Sequence, residues 1–534
     1  MFLLVISLIA QTPSWRCGTP VFEAMKTQVS GQGLGTGGLS QNVNHGRQSL
    51  VANRSHPPRL GENRTMWLQN MSVMPPEQYQ ASVTCRGTGD HLYVMVEDSA
   101  WSAGLVDSAG IARIIDRFDR TSPRDSLHGI WYHNTTVFGE PPDAIDHDSL
   151  VYFVYYNVGQ FMSYSFDGFW QYFDEYYDTT AMRLWGYHSN EVECVYLDCY
   201  PQDPSGDSRI AIAAHEFEHM IHWNYDQAES LWVNEGCAEL AMWLFGSPDA
   251  ISDFNTNPDN DLTKWNGDWA DYIKTYLWTL FLYDQYGERG GNNLIHNIVA
   301  SPYVSIAGVD SAFAATGIAE RFEEVLDHWV LANVINDTTY LGGKYGYHGV
   351  TVPRFGNAGW HISYPVSRSN SLDRWAGEFL LFQRGRNLQL GFDGNDAANF
   401  HLFMVAKDTV GHRLILDTID LDSVQAGSIS VPSSDTGYQS VWLVPASHYP
   451  SGRTSYSYSA SATGIAEEDS KPEIRSPNPA GPSLVRAGTR PRLPAGAVLL
   501  GIDGRTTNDG EVPSAGIYWV TSEGSLPRKI VIVP

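Results

Sequence analysis

The sequence predicts an α+β domain, then a β-sandwich, then a small β-rich C-terminal domain. Three observations carry that reading. Apolar runs at 91–97, 150–156 and 192–198 have strand character. Helix-forming segments follow at about 207–227, 230–246, 268–286 and 318–336. Beyond residue 346 the texture changes to short runs such as Phe379-Leu-Leu-Phe382, Leu402-Phe-Met-Val405 and Val441-Trp-Leu-Val444, separated by Gly, Asp, Asn and Ser.

In chain order, residues 1–10 contain an apolar run, Phe2 to Ala10, too short to span a bilayer and of the size of a signal-peptide core. No Lys or Arg precedes it, so the start could lie inside a longer signal. Residues 11–90 are rich in Gly, Ser, Asn and Gln, as in Ser30 to Gly38, and read as a loose amino-terminal arm or pro-segment. The α+β domain occupies 91–345, with strands preceding helices, and the sandwich 346–465. A charged, Pro-containing linker covers 466–475, and the last domain 476–534.

Sixty acidic against 34 basic side chains give a formal charge of -26, a field that repels phosphate backbones and excludes nucleic acid as an expected partner. It suits a solvated, exported protein. Asp143, Asp146 and Asp148 place oxygen ligands of the calcium-binding type in one loop, without the EF-hand pattern; a capped turn is the alternative. No other stretch approaches 18 uninterrupted apolar residues, so no transmembrane segment is expected. Export would permit disulfides, with Cys194–Cys199 and Cys17–Cys85 as candidates, while Cys237 in its apolar context reads as a buried small hydrophobe.

Chemistry concentrates in Ile210-Ala-Ile-Ala-Ala-His-Glu-Phe-Glu-His-Met-Ile-His-Trp223, a run of helix formers without Gly or Pro. On a helix His215 and His219 stand about 40° apart and one turn along, so both imidazoles can meet one ion, with Glu216 beside it. Neutral imidazoles suit Zn²⁺, and the adjacent carboxylate can act as general base on a metal-activated water. His222 lies roughly 10.5 Å along the axis from His215 and reads as a packed histidine; Glu218 points away and reads as a surface residue. A catalytic zinc needs a third ligand. The metzincin pattern fails, because His222 and Tyr225 stand where it requires Gly and His. Leu231 to Leu240 instead supplies Glu235 and Glu239, 16 and 20 residues after His219, on one helical face. One can bind metal while the other bonds the far nitrogen of a ligating His. Downstream, Tyr272, Tyr276 and Tyr283 share a face of an aromatic-rich helix. The strand at 192–198 is a candidate edge for an extended peptide.

These segments resemble gluzincin metallopeptidases. Trp232-Val-Asn-Glu-Gly236 is similar to the Trp-Leu-Asn-Glu-Gly segment of gluzincin aminopeptidases, whose Glu binds zinc. The resemblance implies Glu235 as ligand and Glu239 as a carboxylate orienting a His, the reverse assignment with thermolysin-like spacing remaining open. It also implies Tyr272 or Tyr276 as donor to the oxyanion, and a zincin-like fold for the α+β domain. Together with Ala214 to Trp223 the chain looks like secreted bacterial gluzincins of the hyicolysin-like and immune-inhibitor-A-like kinds, over about 90–340. The aminopeptidases' Gly-x-Met-Glu-Asn motif is absent, so the expected activity is that of a secreted or surface zinc endopeptidase acting on peptides or proteins. Ser476-Pro-Asn-Pro479, Gly501 to Arg505, Ala515 to Tyr518 and Arg528 to Val533 resemble the sorting domain of the type IX secretion system, implying outer-membrane secretion machinery as a partner. The stretch around 483–493 departs from that pattern with Arg and Pro. The competing readings are a surface adhesin with a structural zinc, which four protein ligands would favour, and a zinc aminopeptidase.

Overall fold

The computed structural model describes residues 16–30, 56–162, 164–290, 293–408, 413–431 and 440–465, and four strands after residue 482. The chain is mixed α/β with several sheets, in two compact units, Met1–Ala466 and Glu467–Pro534. The signal-like residues 1–10 and the linker 466–475 lie outside the described residues.

The first unit is built on a six-stranded sheet of β1 (Asn63–Asn70), β2 (Glu77–Thr88), β3 (Leu92–Glu97), β4 (Val151–Tyr156), β5 (Gly168–Trp170) and β6 (Cys194–Asp198), in the order β1-β2-β3-β4-β6-β5. β3, β4 and β6 are parallel, and the flanking pairs are antiparallel. Parallel neighbours need a crossover, and α2 (Ser108–Asp119) and α3 (Ile130–Val137) supply it between β3 and β4. The Asp107 carboxylate starts α2 by accepting from the Gly110 amide at 2.7 Å, and Ile111, Ile114 and Phe118 are its buried stripe. All six residues of β4 are buried, as a strand covered on both faces requires. The order is therefore not strands then helices. The arm expected over 11–90 is corrected too: β1 and β2 both fall inside it, and residues 19–30 form α1 (Thr19–Ser30). Short polar-out strands such as β1, with exposed and buried positions interleaved, carry too little apolar signal to stand out from a loop.

Three helices follow the sheet: α4 (Asp207–Tyr225), α5 (Leu231–Phe245) and α6 (Trp269–Gly290). At the start of α4, Asp207 pairs with Arg113 at 2.8 Å and Arg117 at 3.0 Å while facing the helix dipole. Gly236 lets α6 approach α5, since a Cβ there would stand 2.4 Å from Thr279 Oγ1 and 3.0 Å from the Thr275 carbonyl.

Residues 359–461 form a five-stranded and a four-stranded sheet facing each other. In the strand Phe400–Asp408, Leu402, Met404 and Ala406 enter the sandwich core, whereas Phe403 and Val405 join the core of the helical region together with Trp329, Trp442 and Val444. Period-two alternation thus serves two cores at once, so the expected boundary at 345/346 does not divide them: Tyr347, Phe355, Trp375 and Phe379 also belong to the core of the helical region, within one compact unit. In the second unit, Ser483–Arg486, Arg528–Val533, Gly516–Thr521 and Val498–Gly501 pair in that order as a four-stranded sheet.

Candidate metal centre

α4 and α5 pack side by side and bring His215, His219 and Glu235 to one point. His215 Nε2 lies 3.3 Å from Glu235 Oε2, and His219 Nε2 lies 3.7 Å from Glu235 Oε1. The two imidazole rings stand nearly perpendicular, at 84°. Two N or O donors about 2.1 Å from one ion at the tetrahedral angle stand about 3.4 Å apart. These spacings fit that geometry. Glu239 sits behind: its Oε1 is 3.3 Å from His215 Nδ1, the nitrogen turned away from Glu235. Glu235 therefore faces both Nε2 atoms, and Glu239 the outer nitrogen of one ring.

All four side chains are buried, and His215 Nε2 and both oxygens of Glu235 and of Glu239 make no hydrogen bond. Buried unpaired polar atoms each cost about 1–3 kcal/mol, and more when charged, so their gathering at one point makes a group that could hold a metal ion. Burial acts to lower the His215 pKa, but the Glu235 and Glu239 carboxylates outweigh it and hold the group up at about 10. Burial pushes Glu235 up to about 7. Binding of a dication to such a set expels these protons and satisfies the orphaned atoms.

Sequence reasoning missed Cys17. Its sulfur lies 3.4 Å from His219 Nε2 and 3.5 Å from Glu216 Oε2, so Cys17, His215, His219 and Glu235 form one buried group of donors. Burial, then the Glu216 and Glu235 charges, raise the thiol pKa well above its usual value. Thr19 follows it, its hydroxyl 2.9 Å from Glu216 Oε2 and accepting from the Trp170 amide at 2.8 Å. The backbone runs parallel to β5: Asp167 N donates to Arg16 O at 2.8 Å and Gly18 N to Gly168 O at 2.9 Å. Phe22 then buries itself against Phe169 and Phe173. A Cβ at Gly168 would meet Ile212 Cγ2 at 3.0 Å and Glu216 Cγ at 3.2 Å, which explains a glycine where β5, α4 and the amino-terminal segment converge. The signal available in the sequence was Cys17-Gly-Thr19 itself, hidden by reading every cysteine of an exported chain as a disulfide candidate.

Other placements differ from expectation. All five cysteines are free and buried, so the Cys194–Cys199 and Cys17–Cys85 pairings are not formed. Residues 194–198 are interior to the sheet, between β4 and β5; the edge beside the site is β5. Glu218 is fully buried, 3.2 Å from His222 Nδ1, because α4 is covered all round and has no surface face there. His222 belongs with Glu218 and Cys237 in a separate buried cluster. Tyr272 lies against the Cys17 backbone, Glu235 and Glu239, and burial raises its pKa well above the usual phenol range. Tyr276, one turn on, faces Glu239 and Arg124, with a buried hydroxyl that has no hydrogen-bond partner. In the acidic loop, Asp143 and Asp146 gather with Glu193, whereas Asp148 accepts from the Tyr93 hydroxyl at 3.0 Å. Glu193 is nearly fully buried, and burial, then Glu175 and Asp146, pushes its pKa up to about 10.

No protein-family model and no curated protein matches the chain. Among solved structures, the SPBc2 prophage-derived protein YomS aligns at 12% identity over 19% of this chain and 98% of that one, with a TM-score of 0.14. A family GH115 4-O-methyl-alpha-glucuronidase with specificity for decorated arabinogalactans aligns at 9% identity over 61% of this chain and 53% of that one, with a TM-score of 0.12. At such scores neither carries an argument about fold or function. The chain spans about half the length of the glucuronidase it matches. Among the described residues no helix is long and apolar enough to cross a membrane.

Proposed function

We propose that the chain is a zinc-dependent endopeptidase of the gluzincin kind, with a zincin-like catalytic domain. The observation that carries the reading is the convergence of His215 Nε2, His219 Nε2 and Glu235 at tetrahedral spacing, with Glu216 next to them. An N,N,O donor set suits Zn²⁺, which when bound supplies a Lewis acid for a scissile carbonyl and activates a water at an open position. Glu216 would take a proton from the attacking water and return it to the leaving amine; burial raises its pKa, which favours that two-way role. Glu239 would hold the His215 ring in orientation. Tyr272, against Glu235 and Cys17, would be the donor to the developing oxyanion in preference to Tyr276. Export, and surface display through the C-terminal unit, belong to the same proposal and rest on the sequences of the two chain ends. The Asp143, Asp146 and Glu193 group would take a calcium ion.

Glu216→Gln is the test. Made in a Cys17→Ala protein, whose fourth metal position is free, it keeps His215, His219 and Glu235 and is expected to bind zinc normally while losing hydrolysis of a denatured protein such as reduced casein. Equal, measurable hydrolysis with Glu216 and with Gln at that position refutes the reading.

A second reading, an adhesin with a structural zinc, draws support from Cys17, since a sulfur donor in the fourth position closes the site. Zinc content alone does not separate the two; hydrolysis by any form of the protein in which position four is free does.

A further inference from the structure

We propose that Cys17 is the fourth ligand of the metal centre and that residues 16–19 are an intramolecular inhibitor, lying in the site until the amino-terminal segment leaves. The ligand half stands on the donor geometry; the inhibitory half rests on the endopeptidase reading above.

Sulfur about 2.3 Å from an ion whose nitrogen ligand lies at about 2.1 Å stands about 3.6 Å from that nitrogen, and Cys17 Sγ is 3.4 Å from His219 Nε2. The thiol is fully enclosed with His215, His219 and Glu235, and the unpartnered His215 Nε2 and Glu235 oxygens belong to the same group. Zinc binding would release the thiol proton to solvent and leave a thiolate sulfur donating to the metal; departure of the segment reverses this by protonation, with no oxidant or reductant involved.

Two features separate an inhibitor from a purely structural ligand. Cys17 and Thr19 both reach Glu216, a carboxylate that a closed structural site has no use for, so the segment occupies the fourth metal position and the general base together. Its strand pairing is also confined to the sheet edge, although Arg16 pairs with Asp167 and Phe22 is buried against Phe169 and Phe173, contacts that must come away with it. Residues 16–18 join β5 through a single bridge at the sheet edge and form none of the six strands, so the segment can leave with the sheet hydrogen bonds intact. Gly18 is matched to this seat, because a Cβ there would stand 3.0 Å from Phe169 Cβ and 3.2 Å from Met71 Cε. The occupied edge is where an extended peptide substrate would add as a strand.

The test uses the full-length chain loaded with Co²⁺ or Zn²⁺. Wild-type protein with Co²⁺ should show a thiolate-to-cobalt charge-transfer band in the near ultraviolet, absent in Cys17→Ser and kept in Cys85→Ala. A wild-type spectrum without the band overturns the ligand assignment whatever the activity. X-ray absorption at the zinc edge of the wild type should show one sulfur at about 2.3 Å beside nitrogen and oxygen donors; a first shell of nitrogen and oxygen alone overturns the assignment without relying on a variant that folds. With zinc, Cys17→Ala should hydrolyse casein more than about tenfold faster than wild type, since a tethered ligand competes at high effective concentration. Wild type as active as Cys17→Ala overturns inhibition while leaving the peptidase standing. A Cys17→Ala protein that binds zinc, folds and hydrolyses nothing overturns inhibition and the peptidase reading together, in favour of a structural site.

Discussion

Which glutamate touches the metal is decided by comparing Glu235→Gln with Glu239→Gln. Glu239 Oε1 stands 3.3 Å from His215 Nδ1, with both side chains buried. Two full charges at that distance and an effective dielectric of 20 would interact by about 5 kcal/mol, but a metal-bound imidazole carries only part of a charge on its N–H. Loss of such an orienting carboxylate lowers metal affinity by about 10–100-fold, or about 1.4–2.7 kcal/mol. The amide oxygen of Gln can take the same place facing Nδ1, so Glu239→Gln should fall at the tenfold end. Glu235→Gln removes the group that faces both Nε2 atoms and should weaken zinc by more than about a hundredfold. Competition against a chromophoric chelator at pH 7 measures both, with a thermal melt confirming that each variant is folded. A larger loss in Glu239→Gln than in Glu235→Gln would refute the assignment and make Glu239 the ligand.

Three further outcomes follow from the packing. Gly236→Ala gains about 1 kcal/mol of helix propensity but pushes a Cβ into Thr279 and the Thr275 carbonyl; overpacking of about 1–3 kcal/mol should leave a net loss in denaturant melts, and unchanged or higher stability would sink the close-approach argument. Asp327 of the helix Phe322–Ile335 bridges His401 at 2.6 Å and His448 at 2.8 Å, holding the sandwich to that helix, with Glu323 3.7 Å from His448. The Asp327 hydrogen bond raises the His401 pKa, so its contribution is complete below an unfolded value near ~6.5 and is lost as pH rises through the folded one. Burial opposes ionisation of Asp327, but His401 and His448 hold its pKa below normal, so that contribution is lost only as pH falls below ~4. Melting temperature should therefore be most sensitive to Asp327→Asn between pH ~4 and ~6.5; a pH-independent difference would count against the clamp. Calcium at 100 times its dissociation constant should stabilise the wild type by about 2.7 kcal/mol and Glu193→Gln far less, and an equal shift in both proteins would remove Glu193 from the site.

Much of the centre was legible in the residues because helical periodicity is local. The four-residue spacing of His215 and His219, and of Glu235 and Glu239, fixes a shared face before any tertiary contact exists. The strands at 92–97, 151–156 and 194–198 were equally plain, since a strand buried on both faces is a dense apolar run. The helix Ser108–Asp119 was missed although Ile111, Ile114 and Phe118 spell a buried stripe behind an Asp107 cap, so its signal was present and unused.

By itself, then, the sequence determined the donor types, their helical faces and the doubly buried strands, all of which follow from neighbours along the chain. Tertiary structure alone decided the rest. Glu218 became buried because α4 is enclosed on every side, residues 194–198 lost their edge to β5, and Asp148 gave way to Glu193 through the pairing of distant segments. Cys17 reached His219 from 202 positions away. No period or spacing encodes such a contact, because it depends on a long loop closing onto one sheet edge, where burial and shape rather than local propensity select the partner.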